Sequence, residues 1–527
     1  MVTNIEQFQQ RKENSLKIDK IIIITSILML MIIPNFVYKK EFMSYTPILS
    51  NSAYASGMRA DVFNYYKSVM LNVGAFFMLM CYTYKVVVLK QEFRKDKINI
   101  VVLLLALVIL ISSIMSEYPQ IAFFGNHDRF EGGMAWFSYL SIFFVLYNTN
   151  IDEKYYKFYY LSLVVFIIIN SVTSITYLYG INLLDIPFIN QMLGGGLSGY
   201  IVTTLYHPNF GSGISAVIFC TSFMYFILED NVQYKAILLF LTTFSFAMLL
   251  AMVSTGGFLT VLIMIPIMIV VGVRIKGIKY FTIFGVMSLV FNIFIYNLLN
   301  SQSEKVFNES MAIIEKVNSI SNIIIPITVV LFLLVLLSIK FIDRKKIFKI
   351  FSISFGVLVT VFLLIAPKIL SSNIDEIKSN ETYHKINEIS TDRINIWIKT
   401  LNLSKDHSLI GSGADTLPFN MVLRDEDKGM STYNEFIDKP HNWYLSIFYS
   451  FGILGFILFM IIVIDFIYTL FNNIDDKNRF KYGYIYGIGT ITYLVQSLSN
   501  DSFTGTAIIF WVMISIIFNK IKQKNAT

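Results

Sequence analysis

Long apolar segments alternate with short polar ones along almost the whole chain of 527 residues. Fourteen of these apolar segments are long enough, or nearly so, to cross a membrane as a helix. They are residues 19–37, 69–89, 99–116, 135–149, 158–179, 208–228, 236–253, 257–273, 280–300, 322–339, 350–367, 442–468, 484–500 and 504–519. The pattern predicts an all-α polytopic helical membrane protein with about 12–14 transmembrane helices.

One long polar stretch interrupts this alternation before the twelfth apolar segment. It divides the chain into an N-terminal transmembrane bundle (1–367), an extracytoplasmic catalytic loop (368–441) and C-terminal transmembrane helices (442–527). Long loops on a helical scaffold are usually lids or binding elements. Within the loop, residues 391–401 predict a helix with one apolar stripe that includes Trp397, suited to lying on the membrane or the bundle.

Composition and charge agree with a membrane protein. Hydrophobic residues make up 55% of the chain and charged residues only 15%, with a mean hydropathy of +0.62, which excludes an ordinary soluble domain. The net charge of +7 arises mainly in short loops that are internal if the N-terminus is cytoplasmic. This asymmetry predicts a multi-pass protein of the plasma membrane with both termini in the cytoplasm, and it argues against a nucleic-acid partner. Cys81 and Cys220 fall within predicted spans, so a disulfide framework is not expected.

The polar loop ends in Lys439-Pro440-His441-Asn442, directly before the twelfth apolar segment. His441 and Asn442 therefore lie where water gives way to membrane, a suitable place for chemistry on a lipid-linked substrate. Histidine titrates near neutral pH and can take a proton from an attacking hydroxyl, although it could also cap a helix. Gly452 follows Asn442 after nine residues, and Gly455 follows after two more.

This H-N-x9-G-x-x-G spacing resembles the signature of the O-antigen ligase family of lipopolysaccharide ligases and polymerases of lipid-linked glycans. The resemblance implies a membrane glycosyltransferase that moves a glycan from a polyprenyl (undecaprenyl) diphosphate to an acceptor hydroxyl at the outer leaflet. It implies His441 as the catalytic base, with Asn442 positioning that base or a sugar. Polymerase and ligase both stay open, as does the acceptor, which could be a glycan, a lipid, a wall polymer or a protein.

Two external arginines are candidate ligands of the diphosphate. Arg393 stands at the start of the predicted helix, where it could join free backbone N–H groups in binding diphosphate, and the resemblance implies the same role. Arg129 lies shortly before the fourth apolar segment and matches an arginine common in that loop of the family. A role in the site and a salt bridge to Asp128 or Glu131 are both open for Arg129.

The remaining candidates carry weaker signals. Trp397 matches the external loop of the family, and Asn209 could bind a substrate hydroxyl or the broken backbone beside Pro208. Arg424 and Lys439 are further external cations, which a solvated position would also explain. Where the family often has an arginine, this chain has Thr255, so another cation must supply that contact.

Asp425-Glu426-Asp427 superficially matches the acidic triplet with which nucleotide-sugar transferases hold a metal, but a surface charge run explains it better because nucleotide sugars are cytosolic and this loop is external. The histidines show no metal-binding spacing, so an enzyme without metal or cofactor is expected. The expected partners are the lipid-linked donor, the acceptor and the bilayer, with the chain a monomer or a weak homo-oligomer. The alternative from another class is a flippase of the lipid-linked glycan. Transport would favour charges along a central path and internal repeats, and the sequence shows almost no charge in its spans and no evident repeat.

Overall fold

The computed structural model describes residues 2–46, 56–91, 96–127, 129–195, 203–205, 207–252, 254–300, 393–420, 422–423, 435–472 and 481–525. The predicted spans 322–339 and 350–367 lie outside these residues, as does Arg424. Every other predicted span falls on a helix. The all-α polytopic architecture is therefore confirmed.

Sixteen α-helices are described. The first eleven are α1 (Val2–Ile32), α2 (Tyr65–Val87), α3 (Lys97–Met115), α4 (Pro119–Phe124), α5 (Gly133–Asn148), α6 (Glu153–Leu178), α7 (Pro187–Met192), α8 (Pro208–Leu228), α9 (Val232–Ala251), α10 (Thr255–Lys276) and α11 (Ile278–Asn300). The others are α12 (Arg393–Leu403), α13 (Leu417–Asn420), α14 (Trp443–Asn472), α15 (Lys481–Gln496) and α16 (Thr504–Asn525). Strands β1 (Lys40–Ser44) and β2 (Gly57–Asp61) pair antiparallel, as do β3 (Val422–Leu423) and β4 (Glu435–Phe436).

Among the described residues, eight helices are long and apolar enough to cross a membrane, namely α2, α3, α6, α8, α9, α10, α11 and α14. Helix α5 and the apolar part of α16 (Thr504–Lys520) are shorter. Helix α1 begins at Val2, well before the span predicted from residue 19, because its polar N-terminal part is helical as well. The chain is thus a multi-pass membrane protein.

Helix α8 is the most enclosed of the spanning helices, with 94% of its apolar window buried. It begins at Pro208, where a proline has no intrahelical N–H to lose, and His207 caps it by accepting from the Asn209 N–H. Helix α10 approaches it closely, because a Cβ on Gly257 would lie 2.0 Å from Ser212 Oγ. Small residues therefore bring the turn before α10 against the start of α8.

An aromatic cluster joins α5, α14 and α16 in the core. Trp443 stacks on Trp136 with ring centroids 6.2 Å apart, and Trp511 stacks on Tyr139 at 6.3 Å. Phe510 meets Trp443 edge to face at 5.1 Å. Helices α14 and α16 therefore pack into the same bundle as α5. One member of this cluster, Trp443, directly follows Asn442 in the chain.

Helix α14 is interrupted at Gly452, whose φ of 64° and ψ of −169° are not helical. The backbone groups freed by this break pair with the loop after α12. The Ile453 N–H donates to the Ser408 carbonyl at 2.8 Å, and the Ser412 N–H donates to the Tyr449 carbonyl at 2.9 Å. A broken helix inside a membrane protein is tolerated when its free backbone groups are paired in this way.

The two backbones meet too closely for side chains at the glycines. A Cβ on Gly452 would lie 2.4 Å from the Leu409 carbonyl carbon, and one on Gly411 would lie 2.3 Å from the Ser450 carbonyl carbon. A Cβ on Gly455 would lie 2.4 Å from the Phe451 Cβ. Gly452 and Gly411 thus let the loop after α12 dock on the broken helix, whereas Gly455 avoids a clash with Phe451 of its own helix.

Replacing Gly452 by alanine should destabilise the protein and detach this loop. A backbone with φ of 64° and ψ of −169° is adopted almost only by glycine and costs another residue about 1–3 kcal/mol, and the contact with Leu409 adds to that. We expect a lower thermal unfolding midpoint in detergent and faster protease cleavage between residues 404 and 412. Gly285→Ala in α11 is the matched control, because its Cβ would meet Phe281 at an ordinary 3.7 Å. Equal unfolding midpoints for the two variants would contradict this account of the break.

Candidate active site

His441 lies immediately before α14 in a left-handed backbone conformation, with φ of 53°. Non-glycine residues adopt this conformation rarely, and its surroundings hold it in place. The Trp397 indole N–H donates to the Pro440 carbonyl at 2.8 Å, and Asn442 Oδ1 accepts the Leu445 N–H at 3.1 Å as the cap of α14. Asn442 therefore caps the helix, and the His441 side chain, 34% exposed, is left for other contacts.

A buried carboxylate faces the imidazole. His441 Nδ1 lies 3.7 Å from Asp501 Oδ2, and Asp501, in the segment between α15 and α16, is only 1% exposed. The His441 backbone N–H also lies near this carboxylate, but neither Asp501 oxygen reaches hydrogen-bond geometry with a partner in the described residues. Burial raises the pKa of Asp501 to about 7, and the nearby Lys439 only partly offsets that effect.

The surroundings keep the imidazole of His441 neutral. Burial lowers the pKa of His441, Asp438 acts in the opposite direction, and Arg129 and Arg393 lower it further. Neutral histidine is the form that can accept a proton at pH 7. If the ring carries its proton on Nδ1, towards Asp501, then Nε2 is the atom available as a base.

Arg129 pairs with Asp438, whereas Asp128, one of the partners considered for it, lies outside the described residues. Its Nε and Nη2 both donate to the same Asp438 oxygen, and its guanidinium lies 5.0 Å from the centre of the Phe210 ring. Burial alone would raise the pKa of the Asp438 carboxyl, but Arg129 and His441 outweigh it, so the pKa falls below its usual value. The positive charge of Arg129 thus acts on His441, and Asp438, three residues before His441 in the chain, holds the guanidinium there.

Lys439 is buried in an ion cluster and is not a solvated cation. Its Nζ lies 2.5 Å from Glu131 Oε2 and 3.2 Å from Asp415 Oδ1, and the residue is 5% exposed. Glu131 Oε1 also accepts from Ser502 Oγ at 2.9 Å, and Asp415 Oδ2 accepts the Glu131 N–H at 2.8 Å. Burial would lower the pKa of Lys439, but Glu131 and Asp415 together raise it. The cluster ties the segment before His441 to three other parts of the chain.

Arg393, the first residue of α12, lines a small pocket. The other lining residues are Asn209, Gly213, Ser254, Gly256, Gly257, Gln496, Ser499 and Asn500. Burial lowers the pKa of Arg393, and Asp501 raises it. Arg393 makes no hydrogen bond or ion-pair contact with the described part of the chain. It brings a cation to the turn around Thr255, where the family pattern has its arginine.

Asn209 links the pocket to the start of α8. Its Oδ1 accepts from Ser254 Oγ at 2.8 Å, and its carbonyl accepts from Asn500 Nδ2 at 2.9 Å. Its N–H donates to His207 Nδ1 at 3.2 Å, and burial together with Arg129 lowers the pKa of that histidine. Asn209 therefore holds three segments together at the pocket wall.

The structure brings most of the predicted site residues to one end of the bundle. Arg129 and Arg393 both act electrostatically on His441, while Trp397 and Asn209 support the same region. Sequence reasoning missed the two acidic partners, Asp438 and Asp501. A signal existed for the latter, since it is the single ionisable residue between the predicted spans 484–500 and 504–519.

Comparison with known proteins gives one family match. The O-antigen ligase family model matches residues 325–460, whereas no curated protein matches the chain at a significant level. Within the matched range the structure describes 393–420, 422–423 and 435–460, which include His441, Arg393 and the helix break at Gly452. The match supports the assignment of this chain to the O-antigen ligase family.

Proposed function

We propose that the chain transfers a glycan from a polyprenyl diphosphate to an acceptor hydroxyl at the outer leaflet, as a surface polysaccharide polymerase or ligase. The observation that carries this proposal is a histidine that lies 3.7 Å from a buried carboxylate and feels the charge of two arginines. His441, Asp501, Arg129 and Arg393 come from four distant segments and meet at one end of a membrane bundle. The O-antigen ligase match makes glycosyl transfer the reaction class that fits them.

The reaction requires one proton transfer and one leaving group. The acceptor oxygen bonds to the anomeric carbon, the bond from that carbon to the diphosphate oxygen breaks, and the diphosphate leaves with the electron pair. The acceptor proton passes to His441 Nε2, and Asp501 stabilises the resulting imidazolium through Nδ1. Diphosphate is a good leaving group, so the protein chiefly orients the acceptor and stabilises developing charge.

The two arginines would share the diphosphate unequally. Arg393, with no hydrogen-bond or ion-pair partner among the described residues, can bind phosphate oxygens through two parallel N–H groups. Arg129 already donates to Asp438, so it would exchange part of that contact for the substrate. Arg424, outside the described ranges, is proposed as a further cation. Trp397 would act by holding the Pro440 carbonyl, which fixes the backbone of His441.

The proposal includes the setting of the reaction. The site would face the outside of the plasma membrane, with both termini in the cytoplasm. The polyprenyl tail would lie along apolar helix surfaces that face lipid. The chain would act as a monomer or weak homo-oligomer, without metal or cofactor.

Replacing Arg393 by glutamine should slow transfer about 10- to 150-fold, the equivalent of one charge-assisted hydrogen bond of about 1.5–3 kcal/mol. The assay uses purified protein in detergent, a polyprenyl-diphosphate glycan and a chelator, and it follows release of polyprenyl diphosphate together with glycan growth or transfer. Arg11→Gln, the same substitution on the exposed polar part of α1, is the matched control. No release with any acceptor, accompanied by translocation of the lipid in liposomes, would replace the transferase with a transporter.

A further inference from the structure

We propose that His207 is a further residue that binds the diphosphate of the donor, with its Nε2–H donating to a phosphate oxygen near Arg129. This inference rests on the proposed function. It deepens that function by giving the second histidine of the site a role as hydrogen-bond donor, distinct from the role of His441 as base.

The start of α8 fixes which nitrogen of His207 carries the proton. Its Nδ1 accepts the Asn209 N–H at 3.2 Å as the cap of that helix. A ring nitrogen that accepts a hydrogen bond carries no proton, so the proton of the neutral ring is on Nε2. A ring turned over by 180° would place a C–H against the Asn209 N–H and lose the cap. His207 therefore presents a donor at Nε2, and the neutral ring cannot act there as a base.

The surroundings of His207 keep its ring neutral. Partial burial lowers the pKa of His207, Arg129 and His441 lower it further, and Asp438 acts in the opposite direction. The cap has the same effect, because a doubly protonated ring could not accept the Asn209 N–H. The residue is nevertheless exposed at the surface, so a ligand can reach it.

The first turn of α8 lies near both arginines of the site. The rings of His207 and Phe210 have centroids 6.5 Å apart, and the Arg129 guanidinium lies 5.0 Å from the centre of the same Phe210 ring. Asn209 of this turn lines a small pocket together with Arg393. Both arginines also act electrostatically on His207. An anion bound by the two arginines would therefore come within reach of this turn, where His207 offers an exposed N–H.

A neutral N–H donor in this field suits a phosphate oxygen. The positive charge of the two arginines favours an anion over a sugar hydroxyl as the acceptor of the bond, and hydrogen bonds to charged acceptors are the stronger kind. The proton balance of the reaction does not change, since the acceptor proton still passes to His441. His207 would therefore contribute to holding the donor.

Replacement of His207 by asparagine separates binding from capping. Asparagine is a good helix cap, so His207→Asn should keep the wild-type unfolding midpoint while it removes Nε2, whereas His207→Ala removes both functions. The dissociation constant of a synthetic polyprenyl diphosphate carrying one N-acetylhexosamine is measured with purified full-length protein in detergent, without acceptor. We expect His207→Asn to bind this lipid at least about 10-fold more weakly, as for the loss of a hydrogen bond to a charged group. His407→Asn, the same substitution in the loop after α12, is the matched control and should bind as wild type does.

The outcomes separate this inference from the function on which it rests. If wild type binds the lipid and His207→Asn binds it equally well, His207 only caps α8 and the inference alone is wrong. Weaker binding that merely follows a lower unfolding midpoint in both variants would also overturn it. If the asparagine variant does not fold, His207→Ser, with another capping residue, takes its place in the same comparison. Failure of wild type to bind the lipid would overturn the proposed function together with the inference.

Discussion

Replacement of His441 by alanine should lower the rate of glycan transfer by about 10²- to 10⁴-fold, the usual contribution of a general base. The side chain is 34% exposed, and its neighbours fix its backbone through Trp397 and Asn442, so its removal should leave the fold intact. Binding of the donor should change little, because the arginines and not the histidine would hold the diphosphate. The comparison is made on transfer rates at saturating donor.

The pH dependence gives a second readout for this variant. Burial lowers the pKa of His441 and raises that of Asp501 to about 7. The reactive state needs a neutral histidine and a charged aspartate, so wild-type activity should rise as the pH increases through neutrality. In His441→Ala the residual activity should lose this dependence. His407→Ala, a histidine in the loop after α12, is the matched control and should keep both rate and profile. A His441→Ala protein that kept the wild-type rate would exclude the proposed base.

The helices could be predicted from the sequence because a segment in lipid must pair its own backbone groups, so an apolar run of sufficient length has few alternatives to a helix. The position of His441 at the start of a membrane helix could also be predicted, because it lies at the boundary between a polar and an apolar segment. The role of Gly452 could not be predicted, since its need for a positive φ arises from the loop around Leu409 that docks on it. Spacing marked that glycine without giving the reason.

The partners of the charged residues depend on contacts between distant segments. Lys439 pairs with Glu131 and Asp415, and Arg129 pairs with Asp438 of a distant segment. Local sequence cannot rank such pairs, because each cation has several carboxylates within reach of a flexible loop. The missing family arginine at Thr255 was a useful sign that another cation was needed. Only the structure shows that Arg393 lines a pocket together with Ser254 and Gly256 of that turn.

Replacement of Asp501 by asparagine should make the protein slower and, at neutral pH, more stable. The pKa of this carboxyl rises from its ordinary 3.8 to about 7 on folding because it is buried. Between these two values the folded state holds more protons than the unfolded state, so the free energy of unfolding falls as the pH rises from about 4 to 7. The loss amounts to roughly 4 kcal/mol, and asparagine, which has no charge to bury, should avoid it.

The stability gain of Asp501→Asn should therefore be absent near pH 4 and full at pH 8, as measured by thermal unfolding midpoints in detergent. Asp438→Asn is the matched control with the opposite sign, since the pKa of Asp438 is lowered and its charge stabilises the fold above pH 4. Transfer by Asp501→Asn should fall about 10- to 150-fold, as expected when the hydrogen bond that Asp501 would form with the imidazolium during the reaction is lost. An Asp501→Asn protein less stable than wild type at pH 8 would show that the carboxylate serves the fold. Higher stability with lower activity would mean that the buried Asp501 carboxylate destabilises the fold and serves the reaction at His441.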